Sequence, residues 1–161
     1  EGQKTAYFSE KFLEITVPVT TKEQIKEIKK TVTHIAKKHD EEPYKALATT
    51  QQAIFHQLEE QDEIDAAAIF DKVFEEKPLA REAAQLAITE ERVPEKIAVT
   101  NVPKYERKYS KQKFKLDNGI EITIPSEIYE NKEMVEFINN PDGSVSVLIK
   151  NIESILNKFN A

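Results

Sequence analysis

The sequence predicts an α+β protein: an N-terminal helical lobe packed with a small antiparallel β-sheet lobe, the latter closed by a C-terminal helix. Three observations carry this expectation. Apolar residues recur at helical spacing, with capping signals, up to about residue 92. From Pro94 the pattern changes to short alternating runs around two Gly-containing turns. After Asn151 a helical stripe returns. The change near residue 94 divides the chain into 1–93, a mainly helical lobe with an N-terminal strand, and 94–161, a β-rich lobe with two hairpins and a C-terminal helix. No connection is long enough to let the two move freely, so one α+β unit with two lobes is the simplest organisation.

The elements follow in order. Tyr7-Phe8 and Phe12 to Val17 are rich in aromatic and β-branched residues and stop at Pro18, as an edge or terminal strand would. Thr20 with Glu23 forms a capping box for a first helix running to about His39, its apolar face built from Ile25, Ile28, Val32, Ile35 and Ala36. Lys22, Lys26, Lys29, Lys30 and Lys37 fall into one basic stripe beside that face. Pro43 suits the first turn of a second helix, in which Tyr44, Leu47, Ile54, Phe55 and Leu58 share a face with Gln51 and Gln52 between them. A third helix, from about Glu63 to Phe74, is broadly apolar and so sandwiched between others. A fourth carries Leu79, Ala83, Leu86 and Ala87 and ends near Val93-Pro94.

Ile97-Ala98-Val99 reads as a short strand. Lys113 to Leu116 and Ile120 to Ile124 alternate on either side of Asp117-Asn118-Gly119, a strong hairpin signal. Pro125 to Tyr129 reads as a single helical turn. Met134 to Ile138 and Ser144 to Ile149 flank Asn140-Pro141-Asp142-Gly143 as a second hairpin, giving a sheet of about four strands. Asn151 can cap a closing helix whose Ile152, Ile155, Leu156 and Phe159 cover one face of that sheet.

Composition narrows function. No apolar run approaches the roughly twenty residues of a membrane-spanning helix, so the expectation is a soluble protein without a membrane partner. The absence of cysteine excludes disulfides, thiolate metal sites and cysteine nucleophiles and leaves the cytoplasm as the expected location. Glu1-Gly2-Gln3-Lys4 has neither Met nor a signal pattern, as expected of a piece of a longer protein. The three glycines lie at the terminus or in turns, so there is no phosphate-binding loop. His34, His39 and His56 show no i, i+4 pairing of metal ligands, and neither a metal nor another cofactor is expected. Asn140 to Ser144 lacks the ligand spacing of a calcium loop, and a turn accounts for it. With no constellation of acid, base and nucleophile, a non-catalytic protein is expected.

The residues Phe114 to Ile122, Val135 to Val147 and Ile149 to Ile152, taken in order, resemble the end of NdpA-like bacterial nucleoid-associated proteins. The resemblance is clear over roughly the last third of the chain and loose in the helical part. It implies the C-terminal portion of a longer protein located at the nucleoid. It also implies duplex DNA binding without marked sequence preference, and contact with DNA topoisomerases. It brings no catalytic motif.

Net charge of −6 argues against a general basic coat, so charge distribution matters more than its total. Lys104, Arg107, Lys108, Lys111, Lys113 and Lys115 cluster against the single acid Glu106, with Tyr105, Tyr109 and Phe114 interleaved. This stretch reads either as a DNA-backbone contact or as a solvated β-edge whose lysines prevent aggregation. The stripe from Lys22 to Lys37 is a secondary candidate, or an ordinary solvated helix face. The alternative function is protein interaction, as a homodimer half or a dock for a partner such as a topoisomerase, suggested by the acidic total and the apolar third helix.

Overall fold

The structure, a computed structural model, describes residues 20–160. The strand expected between Tyr7 and Val17 lies outside them. The described elements run α1 (Thr21–Lys38), α2 (Pro43–Glu60), β1 (Glu63–Asp65), α3 (Ala66–Val73), α4 (Pro78–Thr89), β2 (Lys96–Ala98), α5 (Val102–Tyr109), β3 (Lys111–Lys115), β4 (Glu121–Pro125), α6 (Ser126–Tyr129), β5 (Val135–Asn139) and β6 (Val145–Ile149). The class is α+β, as the sequence predicts.

Thr20 caps α1 through a complete capping box. Its hydroxyl accepts from the Glu23 amide at 3.1 Å, and the Glu23 carboxylate accepts from the Thr20 amide at 3.2 Å. Two of the four donors that a helix N-terminus leaves open are thereby satisfied. Ile25, Ile28, Val32, Ile35 and Ala36 are buried, the face read from the sequence. Pro43 opens α2. The third helix starts later than expected: Glu63–Asp65 form β1, pairing antiparallel with β2 (Ile64 opposite Ile97), and the Asp65 side chain caps α3 by accepting from the Ala68 amide. An Asp side chain satisfies an N-terminal donor more effectively than it propagates a helix, which sets the boundary there.

α3 packs against α2 and α4, with Ile69, Phe70 and Phe74 fully buried. Its apolar character is therefore spent inside the protein and offers no docking surface. In α4 the inward face is Ala80, Ala84 and Ala87, whereas Leu79 is 71% and Leu86 49% exposed. The expected face on Leu79, Ala83, Leu86 and Ala87 is thus rotated. Small residues let α4 approach α1 and α3 closely, and close packing outweighs the greater hydrophobicity of the leucines. The core runs past residue 94, since Ile97, Val99 and Tyr105 belong to one cluster with Ile28 and Phe70.

The remaining strands form two ribbons instead of one four-stranded sheet. β3 pairs only with β4 and β5 only with β6. Both turns are as predicted, with Gly119 at φ 94° and Gly143 at φ 91°. Side chains, not a backbone ladder, join the ribbons: Phe114 of β3, Tyr129 of α6, Phe137 of β5 and Tyr44 of α2 form an aromatic cluster with centroids 5.1–5.8 Å apart.

The closing helix does not form. Asn151 sits at φ 59°, not in the extended conformation of an N-cap, and its amide donates to the Glu133 carbonyl at 2.8 Å. Residues 150–160 have no secondary structure, and Ile155, Leu156 and Phe159 are 83–84% exposed. A segment this short does not hold a helix without a surface to pack on.

Candidate nucleic-acid interface

The basic stretch occupies two consecutive elements. In α5, Asn101 caps the N-terminus by accepting from the Lys104 amide at 3.3 Å, and a proline lies in the first turn. Tyr105 is 6% exposed and Tyr109 half-buried, and α5 packs on α2 through this side. Burial pushes the Tyr109 phenol up to about 12, reinforced by Tyr105. At 100° per residue, Lys104, Arg107 and Lys108 then occupy the opposite, exposed arc. Arg107 and Lys108 also lie in the last turn, where the helix dipole favours cations.

β3 continues the same logic at a period of two. Gln112, 2% exposed, and the half-buried Phe114 point inward, while Lys111, Lys113 and Lys115 share the exposed face. Their cross-strand neighbours on β4 are Pro125, Thr123 and Glu121, so one acid faces this row. None of the six cations forms an ion pair with another described residue; the Lys104 ammonium lies over the Tyr105 ring, 5.4 Å from its centroid.

What fixes the two elements is a set of glutamines. The Gln51 amide donates to the carbonyls of Lys111 (2.7 Å) and Tyr109 (3.3 Å). The Gln112 amide donates to the Ala48 carbonyl (2.9 Å) and the Gln52 side-chain oxygen (3.0 Å), and Gln52 donates to the Ser126 carbonyl (3.0 Å). Ser126 in turn donates through its hydroxyl to Tyr109 (2.7 Å) and through its amide to Ser110 (2.8 Å). The bend from α5 into β3 is therefore clamped from α2 and α6. Sequence reading placed Gln51 and Gln52 among apolar positions without giving them a role. Their signal was two amides beside the apolar face of a helix, which a buried network explains.

Tyr105, Tyr109 and Phe114 turn inward as anchors. They are not displayed for stacking on bases, which leaves the cations alone on the surface.

The secondary stripe lies on α1, which packs on α2, α4 and β2, whereas α5 packs on α2 and runs into β3. The two basic surfaces are thus carried by different elements. Lys22, Lys26, Lys29, Lys30 and Lys37 are all exposed, and Lys26, Lys29, Lys30 and Lys37 line a shallow open depression with Thr33 and His34. Lys30 is partly neutralised by Glu27 at 3.4 Å.

His56 bridges Glu130 (2.8 Å) and Glu59 (3.4 Å). Partial burial pulls its pKa down, but the hydrogen bonds and charges of Glu130 and Glu59 outweigh that and hold it above the usual histidine range. Among the described residues no group of three or more His, Asp or Glu could hold a metal, and no helix is long and apolar enough to cross a membrane.

A family model described as nucleoid-associated protein YejK matches residues 1–157. The chain belongs to this nucleoid-associated family. The match spans the helical part as well as the ribbons, so the resemblance read from the last third holds for nearly the whole chain. No curated protein and no solved structure matches it. For a nucleoid-associated protein, the ordered cationic surface on α5 and β3 is the feature to explain.

Proposed function

We propose that this chain binds duplex DNA at the bacterial nucleoid through the phosphate backbone, without marked sequence preference and without catalysing a reaction. The contact is made by Lys104, Arg107 and Lys108 of α5 with Lys111, Lys113 and Lys115 of β3. The observation that supports it most is that six exposed cations occupy the outward side of two consecutive elements whose inward side is locked by Tyr105, Gln112 and Gln51. A pre-set row of cations meets phosphates without first losing the conformational freedom of a loop.

The lack of sequence preference follows from what the surface omits. Base readout needs donors and acceptors or aromatic rings aimed into a groove or at unstacked bases, and here the aromatic residues face the core. Lysine and arginine on a solvent-facing row contact phosphate, which positions without specifying. The stripe on α1 is a weaker second contact, because Glu27 offsets part of its charge.

Titration of fluorescent duplex DNA tests this, comparing the chain with a variant carrying R107S, K108S, K111S and K113S. With about five phosphate contacts, affinity falls roughly 500-fold between about 50 and 200 mM salt, and the variant loses most of the binding at the lower salt. Equal binding by both proteins contradicts the assignment of residues, and no binding at low salt contradicts DNA contact by this chain.

A further inference from the structure

The structure leaves two apolar surfaces of one chain uncovered. The first is β6, the outer strand of the second ribbon, where Val145, Leu148 and Ile149 are 39%, 46% and 51% exposed. Its pairing is with β5 alone, so its other edge presents unpaired backbone donors and acceptors. A two-stranded ribbon is marginal on its own in water, and an apolar free edge is a template for another chain. The second surface is the segment after Asn151, where Ile155, Leu156 and Phe159 are 83–84% exposed at helical spacing.

These surfaces do not cover each other within one molecule. The Lys150 amide donates to the Met134 carbonyl and the Asn151 side chain to the Glu133 carbonyl, both at 2.8 Å, fastening the segment to the ribbon at its root. The positive φ of Asn151 then directs the chain away.

We propose that a second copy of this chain covers both: the C-terminal stripe of each copy lies across the β6 ribbon of the other. Reciprocal exchange about a two-fold axis closes the assembly, since each copy supplies one stripe and one ribbon. The area suits a dimer. The six side chains expose together on the order of 700 Å², near the roughly 800 Å² per partner that a standard interface buries. It also exceeds the roughly 300–600 Å² of the largest apolar patch on a typical monomer. The stripe gains on the partner's ribbon the packing surface it lacks alone, so it becomes helical on association.

Sedimentation equilibrium of the whole chain without DNA tests this independently of the DNA reading. Two variants probe the two sides: L156E/F159E in the segment and L148K on β6. All three positions are exposed, so the monomer keeps its fold, which circular dichroism checks. The wild type is expected to dimerise reversibly with a concentration-dependent gain in helical signal. Each variant should raise the dissociation constant at least about tenfold, the loss of one buried anchor. A wild type that stays monomeric at the highest concentration overturns the proposal, as does a dimer unaffected by either variant.

Discussion

Gln112 shows how a single side chain sets the position of a charged surface it does not belong to. Its amide is shared between the Ala48 carbonyl and Gln52, both in α2, and it holds β3 in the register that turns Lys111 and Lys113 outward. Gln112→Ala leaves buried acceptors unpaired and should cost about 2–3 kcal/mol in chemical denaturation. Lys113→Ser, on the opposite face, should leave stability almost unchanged. His56 makes a second, pH-dependent tie between α2 and the residue after α6. Because its pKa is raised in the folded state, the stabilisation is fully present below the unfolded value near 6.5 and is lost as pH rises through the folded value. Denaturation midpoints should therefore fall with rising pH through this window, and His56→Gln should remove that component; an unchanged pH profile would refute the tie. Neither residue's role was legible in the sequence. Both depend on partners about sixty or more positions away, which spacing along one helix does not reveal.

At the scale of elements, local chemistry was readable wherever it is self-contained. The capping box at Thr20, Pro43 at the start of α2 and the Asn118-Gly119 turn each depend on a few neighbouring residues, and all three are present. Thr20→Ala should cost about 1 kcal/mol by opening the α1 N-terminus. At Gly119 a methyl group would meet no atom within 4 Å, so Gly119→Ala isolates the strain of φ 94° and should cost about 1 kcal/mol, measured by thermal unfolding. Where an element depends on its neighbours, sequence reading erred. The α4 stripe was assigned by hydrophobicity, but close approach of α1 and α3 selects Ala80, Ala84 and Ala87. The segment after Asn151 has the pattern of a helix and lacks, within one chain, the surface that would make it one. The basic stretch was visible as composition, whereas its division into a helical arc and a strand row was not, because Tyr105 and Tyr109 count as readily toward a strand as toward a helix.

For the whole molecule, the central question is how a chain of net charge −6 can contact DNA. Its acids are concentrated elsewhere: Glu63 and Asp65 of β1 are engaged by Lys96, and Glu130 and Glu59 by His56. At ordinary ionic strength charges beyond about 10 Å are largely screened, so the local row on α5 and β3 governs what a phosphate backbone meets. The total charge then affects how fast the two find each other more than how they dock. This reading makes the salt dependence of affinity, and not affinity itself, the diagnostic quantity. The measurement is the slope of log K against log salt for duplex DNA, in the wild type, in K111S/K113S, and in a control with Lys132 replaced by Ser. With six phosphate contacts the wild-type slope should be about −5, the double variant should lie about two units shallower, and the control should match the wild type. A double variant with the wild-type slope would mean that these lysines do not touch DNA, and would contradict the account.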